Sequence, residues 1–342
     1  CGDRKVIWEV RKKSGRPALG PARTFSGLSL DLPRTFSGPR LASLRANARR
    51  KKSLNQPARE ARTHEPASMS VLRDLLNSSR AMVGRVDVEW TQALSRLQGI
   101  VGAGSGTVGE IGVHHGGYFA VLAQLARPDE ALWACDLFDA LQDRNLDRSG
   151  RGNLSTFRDT LRTYAAQRAD SVQIVQRPSY ELLTHNVAPP KPFRMLSIDG
   201  AHTAINVFTD LVWAGRRLAA GGLIALDDVG SVRWLGPSRA LRSYWHMHSR
   251  DYTRLAPLLL TPKKLWLVAR KWWGTYMDAI ATMEGTNVLG AATQPRRVRF
   301  REFERCLNAH EPLLNGTSDA APRRLPTPPP ELTHVYVVRV KC

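Results

Sequence analysis

GEIGVHHGGYFAVLAQLA, residues 109–126, is the stretch on which the reading of this chain turns: a short apolar strand ends in glycines and passes directly into an amphipathic helix. Val108, Ile111 and Val113 supply the strand. Gly112, Gly116 and Gly117 follow where the backbone must turn and pass close to a ligand, which glycine permits because it has no Cβ and tolerates positive φ. The helix that starts there offers unpaired N–H groups. Together these parts make a cradle for a nucleotide-like cofactor. Three later stretches, ALWACDLFD at 131–139, FRMLSIDGAH at 193–202 and LIALDDV at 223–229, each read as a strand ending in a carboxylate. Ligands of open α/β sheets bind at those carboxyl ends.

Working outward, strand and helix patterns alternate from about residue 70, as a doubly wound sheet requires. A helix over 86–100 precedes the first strand, and VQIV at 172–175 and KLWLVA at 264–269 supply further strands. In TAINVFTDLVWAGRRLAA, Ile205, Phe208, Val212 and Leu218 fall at helical spacing, and Gly221 and Gly222 are expected to end that helix. The expected fold is α/β, doubly wound, with helices on both faces. After residue 270 the periodicity blurs into WWGTYMDAI, a polar stretch, PTPPP and a terminal VYVVRV that suits an edge strand. The expected organisation is a leader over 1–68, a catalytic domain over 69–270 and a C-terminal extension over 271–342.

The net charge of +20 points towards nucleic acid, but it is uneven: residues 1–68 hold 16 Lys/Arg against 5 Asp/Glu. That segment is rich in Pro, Ser, Arg and Gly, repeats RTFSG at 23–27 and 34–38, and lacks apolar periodicity. It reads as a basic, disordered arm able to touch nucleic acid non-specifically, or as an organellar transit peptide. Cysteines at 1, 135, 306 and 342 form no Cys-x-x-Cys pair, so neither a disulfide framework nor a zinc site is expected. The run LAPLLL is cut off by Thr261 and Pro262, far short of the ~18 residues of a membrane span, so a soluble protein is expected.

Gly104, Gly106 and Gly109 match the dinucleotide fingerprint G-x-G-x-x-G, but they precede the strand, whereas the fingerprint must follow one and open a helix. A dehydrogenase is therefore disfavoured. GEIGVHHGG, Asp136, SIDGAH and LAAGGLIALDDV instead resemble, in order, the motifs of class I S-adenosylmethionine-dependent methyltransferases. The likeness is nearest to macrocin-type sugar O-methyltransferases and more distant to catechol O-methyltransferases, and it spans residues 85–270. It implies a Rossmann-like, mostly parallel seven-stranded sheet with one antiparallel strand.

On that resemblance, Glu110, Gly112, Gly116 and Gly117 line the methionine and ribose end of S-adenosylmethionine. Asp136 accepts the ribose hydroxyls. Ser179, in RPSYELL, either reaches the adenine or caps a helix. Asp199, Asp227 and Asp228 lie at the ends of neighbouring strands and would repel one another, which a hard divalent cation such as Mg²⁺ relieves; helix capping, or pairing with Arg233 or Arg239, is the alternative. His202 stands three residues after Asp199, where the resembled sugar enzymes carry a base, and its ordinary pKa suits proton removal. His114 and His115 receive no role. DALQDRNLDRSGRGN, residues 139–153, is a lid or a plain surface loop. The function expected is O-methylation of a small hydroxylated acceptor, with an oligomer left open. An RNA methyltransferase and a non-catalytic nucleic-acid-binding protein of the same fold are the alternatives.

Overall fold

In the computed structural model, residues 69–78, 84–248, 255–283, 294–308 and 332–338 are described. The basic leader over 1–68 lies outside them. Among the described residues, nine strands form one sheet: β1 (Thr107–Ile111), β2 (Ala131–Asp136), β3 (Val172–Gln176), β4 (Phe193–Ile198), β5 (Leu218–Asp227), β6 (Ala256–Leu260), β7 (Lys264–Val268), β8 (Arg296–Arg299) and β9 (His334–Val337), in the order β3-β2-β1-β4-β5-β7-β6-β9-β8. The first five are parallel, and β7 runs antiparallel to both β5 and β6. Seven of these strands are the expected sheet with its antiparallel member. The terminal VYVVRV stretch does supply a strand, β9, parallel to β6, but it is not the edge: β8, which was not foreseen, closes the row antiparallel to β9.

Side-chain alternation shows how the sheet is covered. Along β2, Leu132 and Ala134 belong to one apolar cluster while Trp133 and Cys135 belong to another. Along β5 the same division separates Leu223 and Ala225 from Ile224 and Leu226. Successive strand residues point to opposite faces, so these clusters are the two sides of one sheet. The helices Arg85–Ile100, Gly117–Leu125 and Arg270–Met283 supply Leu94, Phe119 and Tyr276 to the first side. Ala204–Gly215, Gly236–Met247 and Phe300–Asn308 supply Leu211, Leu241 and Phe303 to the second. The described residues beyond 270 therefore pack into the same two layers as the rest. Burial on both faces is why β1, β4, β6 and β7 are buried at every residue.

Two expectations are corrected. The helix after His202 is capped by the Thr203 hydroxyl, which accepts from Asn206 N at 3.3 Å, and it ends at Gly215 rather than at Gly221. LAA belongs to β5, because Phe193 N donates to Arg217 O at 2.6 Å and Phe193 pairs with Leu218, so tertiary pairing overrides the helical spacing. Gly221, at φ 71°, lies where the β4–β5 register shifts, and marks an irregularity in the strand instead of a helix stop. Cys306 is disulfide-bonded, against the reading of the scattered cysteines. Among the described residues no helix is long and apolar enough to cross a membrane.

Candidate active site

The parallel order reverses between β1 and β4, the switch point where open α/β sheets bind ligands. There Asp199 N donates to Ile111 O at 2.8 Å and draws the two strand ends together. Gly112 is indispensable for that approach. Its φ is 83°, and a Cβ would lie 1.9 Å from the carbonyl oxygen of Asp199. A cleft of about 390 Å³ opens above this point, with Glu110, Asp136, Asp199, His202, Asp227 and Asp228 among its walls.

Where the cofactor is expected, both oxygens of Asp136 hold the loops around it. Oδ2 accepts from His114 N at 2.8 Å and Oδ1 from Phe138 N at 2.7 Å. Burial nevertheless pushes this carboxyl up from its ordinary value. Glu110 is buried with no hydrogen-bond partner on either oxygen, and burial raises it well above the usual range despite the Lys264 ammonium nearby. Gly117 lines the cleft. Gly116, at φ 84°, makes the turn itself. Ser179 lines the cleft, precedes the helix Tyr180–Thr184 without a side-chain capping bond, and donates to Asp210 Oδ2 at 3.1 Å. Asp210 is fully buried, and that burial raises it to about 7.

At the ends of β4 and β5 the acids stay close but take different partners. The antiparallel register sets Asp227 opposite Lys264, whose Nζ lies 3.2 Å from Asp227 Oδ2, 3.4 Å from Ser197 Oγ and 4.0 Å from the Tyr118 ring centre. Burial opposes ionisation of Asp227, but the ammonium prevails and holds it below its ordinary value. Asp199 moves the other way, pushed up by its low-dielectric surroundings and then by the charge of Asp227. Asp228 has φ 54° and faces His202, with Oδ2 3.2 Å from Nε2. Asp199 Oδ1 lies 3.8 Å from the same nitrogen. Asp199, His202 and Asp228 each offer a ligand atom within 4.8 Å of the others. Asp227, turned to Lys264, stands outside that group.

His202 is gripped from behind as well. Asp147 Oδ2 accepts from His202 N at 2.5 Å and from Nδ1 at 2.9 Å, Ser149 Oγ lies 3.2 Å from Nδ1, and Trp234 stacks on the ring at 4.5 Å between centroids. Burial pushes the imidazole down, but Asp147, Asp199 and Asp228 outweigh it and raise the group to about 11. These carboxylates favour the imidazolium over the neutral ring expected from its ordinary pKa. Asp147 itself is pushed up by burial, yet its bonds from His202 and Ser149 hold it well below the usual carboxylate range.

Three participants escaped the sequence reading. Asp147 belongs to the polar segment 139–153, which packs over the site: a Cβ on Gly152 would lie 3.0 Å from Asp136 Oδ1 and 3.2 Å from His114 Cα. Lys264 becomes visible only once the antiparallel pairing is known. Trp234 follows the double acid by six residues in a loop without periodicity. His114 and His115 line the cleft with their ring centres 3.9 Å apart and tilted by 43°, and burial lowers His114.

Residues 110–229 match a family model described as a methyltransferase domain. No curated protein matches the chain. Among solved structures, the chain is similar to an O-methyltransferase from Bacillus cereus crystallised with SAH: 16% identity, 59% of this chain and 91% of the other, TM-score 0.43. A tomaymycin-synthesis O-methyltransferase of Streptomyces achromogenes, in complex with SAM, overlaps at 17% identity over 58% of this chain and 88% of its own, TM-score 0.42. Overlap at that level leaves the fold to be read from the chain's own strand order.

Proposed function

Taking residues 110–229 as a methyltransferase domain, we propose that this chain is an S-adenosylmethionine-dependent O-methyltransferase for a small hydroxylated acceptor, assisted by a divalent cation. The observation that carries the reading is one cleft with two chemically distinct ends. Asp136 stands at one, Asp199, His202 and Asp228 converge at the other, and Glu110 lies towards the latter, near Lys264, Asp199 and Asp227.

The residues present fit both groups. Asp136 keeps lone pairs for a ribose diol beyond its two backbone bonds, and the unpartnered oxygens of buried Glu110 suit a cationic amino group. S-adenosylmethionine supplies an activated methyl group on sulfur. Asp199 and Asp228 are hard oxygen donors suited to Mg²⁺, while Asp227, held ionised by Lys264, adds charge beside them without joining the group. A cation held by Asp199 and Asp228 would polarise an acceptor hydroxyl. His202 takes the hydroxyl proton at Nε2 once that nitrogen is unprotonated, which requires Asp199 and Asp228 to be engaged elsewhere. Trp234 and Asp147 keep the ring in place, and holding acceptor and donor in line does most of the work. A second reading, methylation of RNA, is favoured by the net charge of +20.

Incubating the full chain with labelled cofactor and a panel of sugars, catechols and RNA, with Mg²⁺ or chelator, tests this. Label should pass to a small hydroxylated acceptor only with the metal, and His202→Ala should slow transfer by about 100-fold to 10,000-fold. Full activity after chelation would remove the cation, and label in RNA alone would favour the second reading. Absence of cofactor binding in calorimetry would overturn the proposal.

A further inference from the structure

We propose that Asp147 is a positioning residue that fixes which nitrogen of His202 faces the reacting groups. This rests on the reading of His202 as the base, but the geometry behind it is independent of any bound group.

The Asp147 side chain is 7% exposed and accepts four hydrogen bonds. Oδ2 takes the His202 backbone N–H at 2.5 Å and Nδ1 at 2.9 Å, while Oδ1 takes Ser149 N at 2.9 Å and Ser149 Oγ at 2.6 Å. An ionised carboxylate only accepts, so Nδ1 must carry a hydrogen. The variable nitrogen is then Nε2, the one that faces Asp228 and Asp199. The backbone bond fixes where the His202 main chain lies and the ring bond fixes how its side chain is turned, so one carboxylate sets both. Carboxylates behind catalytic and metal-binding imidazoles act in this way, orienting the ring and selecting the tautomer without accepting the proton.

Asp147 is itself held. Its loop is packed at Gly152 against Asp136 and His114, and Asn153 caps the following helix Leu154–Tyr164 by accepting from Thr156 N at 2.9 Å. The segment 139–153 thereby joins the acceptor histidine to the carboxylate proposed for the ribose. Neither reading made from sequence, lid or plain loop, gave it this role.

The test uses the full chain labelled with ¹⁵N-histidine, with His202→Gln to assign the signals. A strongly hydrogen-bonded, slowly exchanging Nδ1–H proton should belong to His202. Asp147→Asn should lose it, because a neutral amide no longer enforces the tautomer, and Asp147→Glu should recover part of it. In the methyl-transfer assay Asp147→Asn should lower kcat by up to ~10⁴-fold with the KM for cofactor unchanged, as loss of the carboxylate behind a catalytic imidazole does elsewhere. Asp147→Glu should recover part of that too. Absence of the Nδ1–H signal in wild type, or its persistence in Asp147→Asn, would overturn the proposal. A normal signal pattern in a chain that transfers no methyl group would instead sink the function while leaving the positioning intact.

Discussion

Replacing Lys264 by Met removes the only cation within 3.2 Å of Asp227 among the described side chains, in a site where both partners are nearly inaccessible. At an effective dielectric constant near 20, that separation corresponds to about 5 kcal/mol of attraction, and breaking buried pairs from one side typically costs about 3–5 kcal/mol. The methionine restores volume but not charge, so the loss is electrostatic and must depend on pH. In wild type the depressed Asp227 favours folding at every pH above its unfolded value, a contribution lost only as pH falls through its folded pKa. In the variant Asp227, like Asp199, is pushed up. The folded state then binds more protons than the unfolded one, and stability falls as pH rises from about 5 to 8, by at most about 1.4 kcal/mol per unit for each group. Urea denaturation followed by far-UV circular dichroism at pH 5 and pH 8, in chelator, measures the gap between the two proteins. It should widen at pH 8. An equal loss at both pH values, or one below about 1 kcal/mol at pH 8, would refute the assignment of Lys264 as the counter-charge.

Asp136→Ala should weaken S-adenosylmethionine binding by about 1.5–3 kcal/mol for each charged hydrogen bond lost, read by calorimetric titration; unchanged affinity would remove Asp136 from the cofactor site. Asp210 is raised to about 7, so its folded state holds a proton that the unfolded chain has released, and stability drains away between about pH 4 and 7. Asp210→Asn should abolish that slope and gain roughly 2–4 kcal/mol by pH 8, and a thermal melt series showing parallel pH profiles would contradict it. Deleting residues 1–68 should preserve turnover and flatten the salt dependence of any RNA binding, whereas a folded truncation that no longer binds cofactor would move the domain boundary.

What was legible in the sequence was whatever depends on local pattern. The strand ends at Asp136, Asp199 and Asp227, the glycine turn at 112 and the two-faced sheet all follow from apolar runs stopped by glycine or acid. What was hidden depends on pairing across the sheet. LAA after Gly215 looks helical until Phe193 claims Leu218, and Lys264 looks like a surface lysine until β7 turns back against β5. β8 is four residues long with three arginines, a composition that carries no strand signal, and forms because β9 provides an edge. The three acids were placed together correctly as neighbours, but only side-chain geometry separates Asp227 from the pair that faces His202.

That last strand carries a consequence for how the molecule meets copies of itself. The sheet ends on Arg296–Arg299, where three exposed guanidinium groups flank a single buried valine. Two such borders brought together would set arginine beside arginine while their backbones tried to bond, so among the described residues the outer row of β8 stands behind a basic fence, with Arg296 paired to Glu302. Crowding the protein should not zip it into filaments from this side, and neutralising those arginines would remove the fence without disturbing the cleft.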